Sequence, residues 1–169
     1  MSDVYTRPQI TIHWVIVGLV AAQFLTAEAM ETFFDAAEKA KALAGFPTDP
    51  TAMAHAIGGS IVALLTLLRL GLRLTCDAPP APVSLAPILK LASRITHYSF
   101  YVLLIALPMT GAAALYLTPE AGDVHVVLKT VLVVFVLAHV AGALVHAFVL
   151  KDGIIRRMIP WARPMKTPQ

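Results

Sequence analysis

The sequence predicts an all-α membrane protein, a bundle of four transmembrane helices. Three observations predict it: a shortage of charge, four long uncharged runs, and joining loops whose sign alternates. Of the 169 residues, 58% are hydrophobic and 14% charged, against roughly a quarter charged in a soluble domain. The shortage is concentrated. Uncharged runs of 20, 19, 25 and 21 residues lie between Arg7 and Glu28, Asp49 and Arg69, Arg94 and Glu120, and Lys129 and Lys151. A helix rising about 1.5 Å per residue needs about 20 residues to cross the hydrocarbon of a bilayer. Each run is therefore a span, and residues 1–169 read as one transmembrane domain.

The first span is expected at about residues 10–30. A cleaved signal peptide is the competing reading, because small residues surround Ala27 and Ala29. The run is long for that role, Asp3 offsets Arg7, and His13 and Trp14 lie inside it. The helix is expected to stay. From Met30 to Leu43, Phe33, Phe34, Ala37 and Ala40 recur among charges, which fits a short amphipathic helix lying on the outer surface. The second span is expected at about 51–72. Pro79, Pro80, Pro82 and Pro87 follow it, and residues that fix φ and donate no hydrogen bond make an extended linker. The third and fourth spans are expected at about 95–117 and 124–150.

Orientation follows from the basic residues, which short translocated loops avoid. The first connection carries Glu28, Glu31, Asp35, Glu38 and Asp49 against Lys39 and Lys41, and the third carries Glu120 and Asp123. Both are acidic and expected outside. The middle connection holds Arg69, Arg73, Lys90 and Arg94 against Asp77, and the tail holds Lys151, Arg156, Arg157, Arg163 and Lys166 against Asp152. These and both termini are expected in the cytoplasm of a bacterium, with the inner membrane between. The pI near 9.2 then reports topology and attraction to anionic lipid, and not nucleic-acid binding. The single Cys76 excludes an internal disulfide.

An ionisable side chain inside a membrane is costly and marks function. All six histidines lie in or beside spans: His13 in the first, His55 in the second, His97 in the third, and His125, His139 and His146 in the fourth. Helices alternate direction, so His55 and His125 share the outer level. His13 lies at the inner level, where His97, His139 and His146 compete to partner it. His125 and His139, 14 residues apart, fall about 21 Å apart along one helix face. His146 lies farther on, at the interface, so depth selects His139.

Two histidines facing each other across a bundle can bind iron from both sides of a porphyrin. Two such pairs hold two haems, and the expected bundle encloses both. A lone membrane histidine is more often an interhelical hydrogen-bonding residue. Four at matched depths favour ligation, leaving His97 and His146 as interfacial, with His97 a candidate propionate or quinone contact. Arg69, 14 residues after His55, lies on the same stripe at the inner level, where a guanidinium can pair with a propionate. Lys129 lies one turn into the fourth span, either snorkelling or serving as a cation beside the outer haem. Gly58, Gly59 and Gly142 bare backbone near candidate ligands, as they would also do for helix packing.

Several stretches together are similar to the bacterial cytochrome b561 family. They are Tyr5 to Trp14 with its Ile10-Thr11-Ile12-His13-Trp14 core, His55-Ala56-Ile57-Gly58-Gly59 leading to Leu68-Arg69-Leu70 and Arg73, Ala106-Leu107-Pro108-Met109-Thr110-Gly111, and Lys151-Asp152-Gly153 through Pro160. The likeness spans nearly the whole chain. It implies His13 with His139 on one haem b, His55 with His125 on the other, and electron exchange with ubiquinone or another quinone. It also implies oxidation of superoxide at the periplasmic face, although the outer loops total −5, which repels an anion. Two other roles stay open. The scaffold suits the anchor subunit of a periplasmic oxidoreductase such as a hydrogenase, for which an adjacent soluble redox protein would speak. A haem-free proton or metal transporter would be colourless.

Overall fold

The computed structural model describes residues 5–40, 42–76 and 85–159. Most of the proline-rich linker between Asp77 and Pro87 lies outside these residues, as do Lys41 in the first connection and Arg163 and Lys166 in the tail. Helix α1, Arg7–Leu25, opens on a reciprocal cap in which the Thr6 hydroxyl accepts from the Gln9 N–H and the Gln9 side chain accepts from the Thr6 N–H. It stops at Leu25 and not near residue 30, because the chain turns at Thr26, whose hydroxyl donates to the Ala22 carbonyl at 2.9 Å. Helix α2, Ala27–Lys39, is the amphipathic helix, starting ahead of Met30. Its Met30 is buried against Ala52 and Leu115, with Phe33 and Phe34 packed around them.

Helix α3, Pro50–Thr75, starts on Asp49, whose carboxylate accepts from the N–H groups of Thr51 and Ala52, both at 2.9 Å. The next residue is Pro50, whose missing N–H costs nothing in a first turn. Helix α4, Pro87–Tyr116, also begins on proline, so Lys90 and Arg94 ride on the helix and not in the loop that a start near residue 95 implies. Helix α5, Ala121–Leu144, runs on into a π-helical turn, Val145–Leu150. Lys151 and Gly153, with φ of 50° and 73°, then redirect the chain into a 3₁₀ turn, Ile154–Met158.

Among the described residues, four helices are long and apolar enough to cross a membrane: α1, α3, α4, and α5 with its π-helical turn. Helix α1 packs on α3, α3 on α4, and α4 on α5. Helices α1 and α5 instead face each other across the interior, and the 3₁₀ turn closes this side where the Trp14 indole donates to the Met158 carbonyl at 2.7 Å. The end of the bundle holding this closure is called the terminal face below. Helix α2 lies at the opposite, loop face. Between the two ends, Leu103, Leu107 and Leu132 form a buried layer with Val20, Phe100 and Phe135 packed against it, and the polar groups described next lie on either side of it.

Candidate functional site

Near the loop face, His55 of α3 and His125 of α5 point at each other, with ring centroids 6.5 Å apart. Each ring is held by its Nδ1. That of His125 lies 2.9 Å from the Leu107 carbonyl and 3.3 Å from the Thr110 hydroxyl. A carbonyl can only accept, so Nδ1 carries the proton and Nε2 keeps its lone pair. Gly111 lies against this ring, and a Cβ there would come into contact with it, 3.4 Å from the His125 Nδ1. His55 Nδ1 lies 3.1 Å from the Thr26 hydroxyl, whose own proton is committed to Ala22, so the imidazole donates here too. A cavity of about 890 Å³ surrounds the pair.

That cavity reaches the loop face between Glu31, Asp35 and Glu38 of α2 and Glu120 and Asp123. Lys129 lines it but is paired with Glu31 at 3.5 Å. The Thr118 hydroxyl, donating to Glu120, holds its carboxyl below the usual carboxylate range. The mouth is therefore anionic.

Near the terminal face, His13 of α1 and His139 of α5 form a second facing pair, with centroids 6.4 Å apart. His97 of α4 joins them, 5.5 Å from His139, its Nδ1 held 2.6 Å from the Ser93 carbonyl. Phe100 stands edge-on to His139 at 5.4 Å. Arg69 donates to the Gln9 carbonyl at 2.5 Å, and its charge is felt at His13, His97 and His139. Arg73 donates to the Tyr5 hydroxyl at 3.3 Å. His146 does not reach this site, because Asp152 takes its Nδ1 at 2.6 Å. The structure thus separates two histidines that the sequence places together at the interface: His97 enters the site and His146 belongs to the chain reversal.

The residues fit an iron porphyrin. Two metal–imidazole bonds of about 2.0 Å, plus about 1.1 Å from each bonding nitrogen to its ring centre, place collinear ring centroids about 6.2 Å apart. The two pairs stand at 6.5 and 6.4 Å. Imidazoles anchored through Nδ1–H, as His55 and His125 are, present Nε2 in the tautomer that metal ligation needs. Between these levels on α3, the Thr66 hydroxyl is buried without a partner among the described residues. Leaving it so costs about 1–3 kcal/mol, and a polar group bound beside it would relieve that cost. No three His, Cys, Asp or Glu side chains converge as a bare-ion site among the described residues.

Several contributors escape a sequence reading. Thr26, Thr110, Gly111 and Ser93 lie against imidazoles, and the sequence marks that role in none of them: Thr26 ends the first run, and Thr110 and Gly111 fall in a family-like stretch without pointing to a ligand. Gly58 has a different task from baring backbone for a macrocycle, because a Cβ there would lie 2.4 Å from the end of the Gln23 amide, so it admits that amide against α3. With its amide oriented to satisfy both ends, Gln23 donates to the His55 carbonyl at 3.0 Å and accepts from the Gly59 N–H at 3.2 Å. At Gly142 a Cβ would meet nothing within 4 Å, so its packing assigns it neither role.

Known proteins share this arrangement of sequence. The family model for prokaryotic cytochrome b561 matches residues 4–161. The chain is 33% identical over 156 residues to cytochrome b562 of Cereibacter sphaeroides, covering 92% of this chain and 94% of that protein. It is 26% identical over 189 aligned positions to the Yersinia pestis protein named "Probable superoxide oxidase CybB", covering 96% of this chain and 99% of that one.

Proposed function

We propose that this chain, which belongs to the prokaryotic cytochrome b561 family, carries electrons within the bacterial inner membrane through two haem b groups and exchanges them with a membrane quinone. Family membership makes it a haem-binding membrane cytochrome b with an electron-transfer role. The observation that carries the finer reading is duplication: two facing imidazole pairs at opposite depths, each at the spacing an iron atom requires. His55 and His125 would ligate the haem near the loop face, and His13 and His139 the one near the terminal face. Basic flanks turn the terminal face toward the cytoplasm.

Haem b, when bound, supplies reversible one-electron chemistry. The residues do the rest. A pair of imidazoles would hold each iron and leave it no open site, which favours electron transfer over binding of a gas. Leu107, Thr110 and Thr26 fix the rings, and the Leu103–Leu107–Leu132 layer keeps water from the space between the sites. Arg69 is placed to compensate a propionate charge. The pyridine haemochrome assay on purified protein should give about two haems per chain, the number of facing pairs. A value near zero would reject the redox reading, and a value near one would reject the assignment of one pair.

Superoxide oxidation at the loop face is the second reading. It is supported by the name of the Yersinia relative and by the cavity that opens from His55 and His125 past Lys129 to the surface. The anionic rim opposes it, so Lys129 would supply whatever local attraction an anion meets.

A further inference from the structure

Packing joins α1 to α3, α3 to α4 and α4 to α5, so the four spans form an open ring whose seam lies between α1 and α5. His13 and His139 face each other across that seam. At the loop-face site the imidazoles are held directly, by Thr26, Leu107 and Thr110. Among the described residues no hydrogen bond reaches the ring nitrogens of His13 or His139, so their aim depends on where the two helices stand. What crosses the seam at this level is the segment that follows α5. There the His146 Nδ1 donates to one oxygen of Asp152 at 2.6 Å, and the other oxygen accepts from the Ile154 N–H at 3.1 Å. Both side chains of the pair are about four-fifths buried. One carboxylate thus ties the end of α5 to the start of the 3₁₀ turn. It does so between two left-handed residues, Lys151 and Gly153, and such a φ is unfavourable for lysine, so the reversal needs a tie to hold it. From the turn, the Met158 carbonyl accepts from the Trp14 indole at 2.7 Å. Trp14 directly follows His13 and stands edge-on to it at 5.4 Å. Neighbouring residues on a helix point about 100° apart, so holding the indole also fixes the rotation of α1 that aims His13 across the seam.

We propose that Asp152 is a positioning residue for the terminal-face haem: clasped by His146, it holds the 3₁₀ turn as a strap across the seam and, through Met158 and Trp14, sets the spacing and aim of His13 and His139. The inference rests on the haem ligation proposed above and adds what adjusts it. It also gives a task to His146, the ionisable group in the last span that belongs to neither imidazole pair. Releasing the strap would let the seam open and admit water. Water favours ferric haem, whose iron carries one more positive charge than in the ferrous state, so the reduction potential of this haem would fall.

Electron–electron double resonance between spin labels tests the strap. Val15→Cys and Val140→Cys, both at exposed positions on α1 and α5, carry the labels in a Cys76→Ser background. Asp152→Ala and His146→Leu should each lengthen and broaden the measured separation, and His146→Asn, which keeps a donor near the Nδ1 position, should bring it back toward the native one. An unchanged separation in Asp152→Ala would overturn the proposal. On haem-loaded protein, a redox titration should show Asp152→Ala and His146→Leu lowering the potential of the terminal-face haem and leaving the loop-face haem unmoved, with both haems retained, in contrast to His13→Ala. Trp14→Phe removes the donor to Met158 and should give the same shift. Combined with Asp152→Ala it should shift the potential no further, because the two act through one carbonyl. Equal shifts in both haems, or additive shifts in the double variant, would reduce Asp152 to general support of the fold and sink the positioning role. The label separation needs no haem, which keeps the two proposals separable: haem-free protein whose α1–α5 spacing still answers to Asp152 rejects the haem reading and keeps the strap.

Discussion

Each imidazole in the loop-face pair owes its orientation to a different kind of acceptor, and the difference sets how each can fail. His125 is held by a backbone carbonyl that no substitution removes, so it is reached instead through Gly111, which lies against the ring. Gly111→Val, larger than the Cβ that would merely touch the ring, should crowd it and shift the reduction potential of one haem only, as a redox titration would show. His55 depends on the Thr26 side chain. Thr26→Val keeps the shape and removes the acceptor, and should weaken retention of that haem about 10–100-fold, the usual cost of losing a partner that orients a ligand. Removal of the imidazoles themselves tests the pairing: His55→Ala and His125→Ala should give one spectrum, His13→Ala and His139→Ala another. If His146→Ala reproduces the His13→Ala spectrum, His139 is the wrong partner. The four histidines could be picked from the sequence because charge is scarce in a span. Their supports could not, since Thr26 and Thr110 look like any helix hydroxyls until folding brings an imidazole beside them.

Helix α2 decides what reaches the loop-face site, because it carries Glu31 into contact with Lys129 and lines the cavity mouth. An exposed pair of this kind contributes at most about 1 kcal/mol to stability, so its weight lies in the field felt by an incoming anion. If superoxide reduces the protein, Lys129→Glu should lower the second-order rate and weaken its salt dependence, while Glu31→Gln should raise the rate. Stopped-flow haem reduction at several ionic strengths measures both. No reduction of the unmodified protein would remove the oxidase activity, and unchanged variants would remove the role of this pair. The spans themselves were legible because an uncharged run of about 20 residues has few other uses. Their ends were less so: α4 starts at Pro87 because a proline tolerates a first turn and Lys90 and Arg94 can lie along its surface, a choice that charge counting places in a loop.

For the whole molecule, the first test is orientation. Cys76, the sole cysteine, caps α3 at the terminal face and is partly exposed. A membrane-impermeant maleimide should label it in inside-out vesicles and leave it untouched in intact spheroplasts; the reverse pattern would invert the topology. The layout of the imidazoles across the helices also has a meaning in time. Both facing pairs draw one member from α5, His125 in one and His139 in the other. During synthesis, α1 and α3 enter the bilayer with His13 and His55 unpartnered, and neither facing pair is complete until the last span has been made. The remaining closure, in which Met158 accepts from Trp14, forms later still. On the proposed ligation, cofactor capture is confined to the end of translation, and a nascent chain arrested before α5 should hold neither haem tightly.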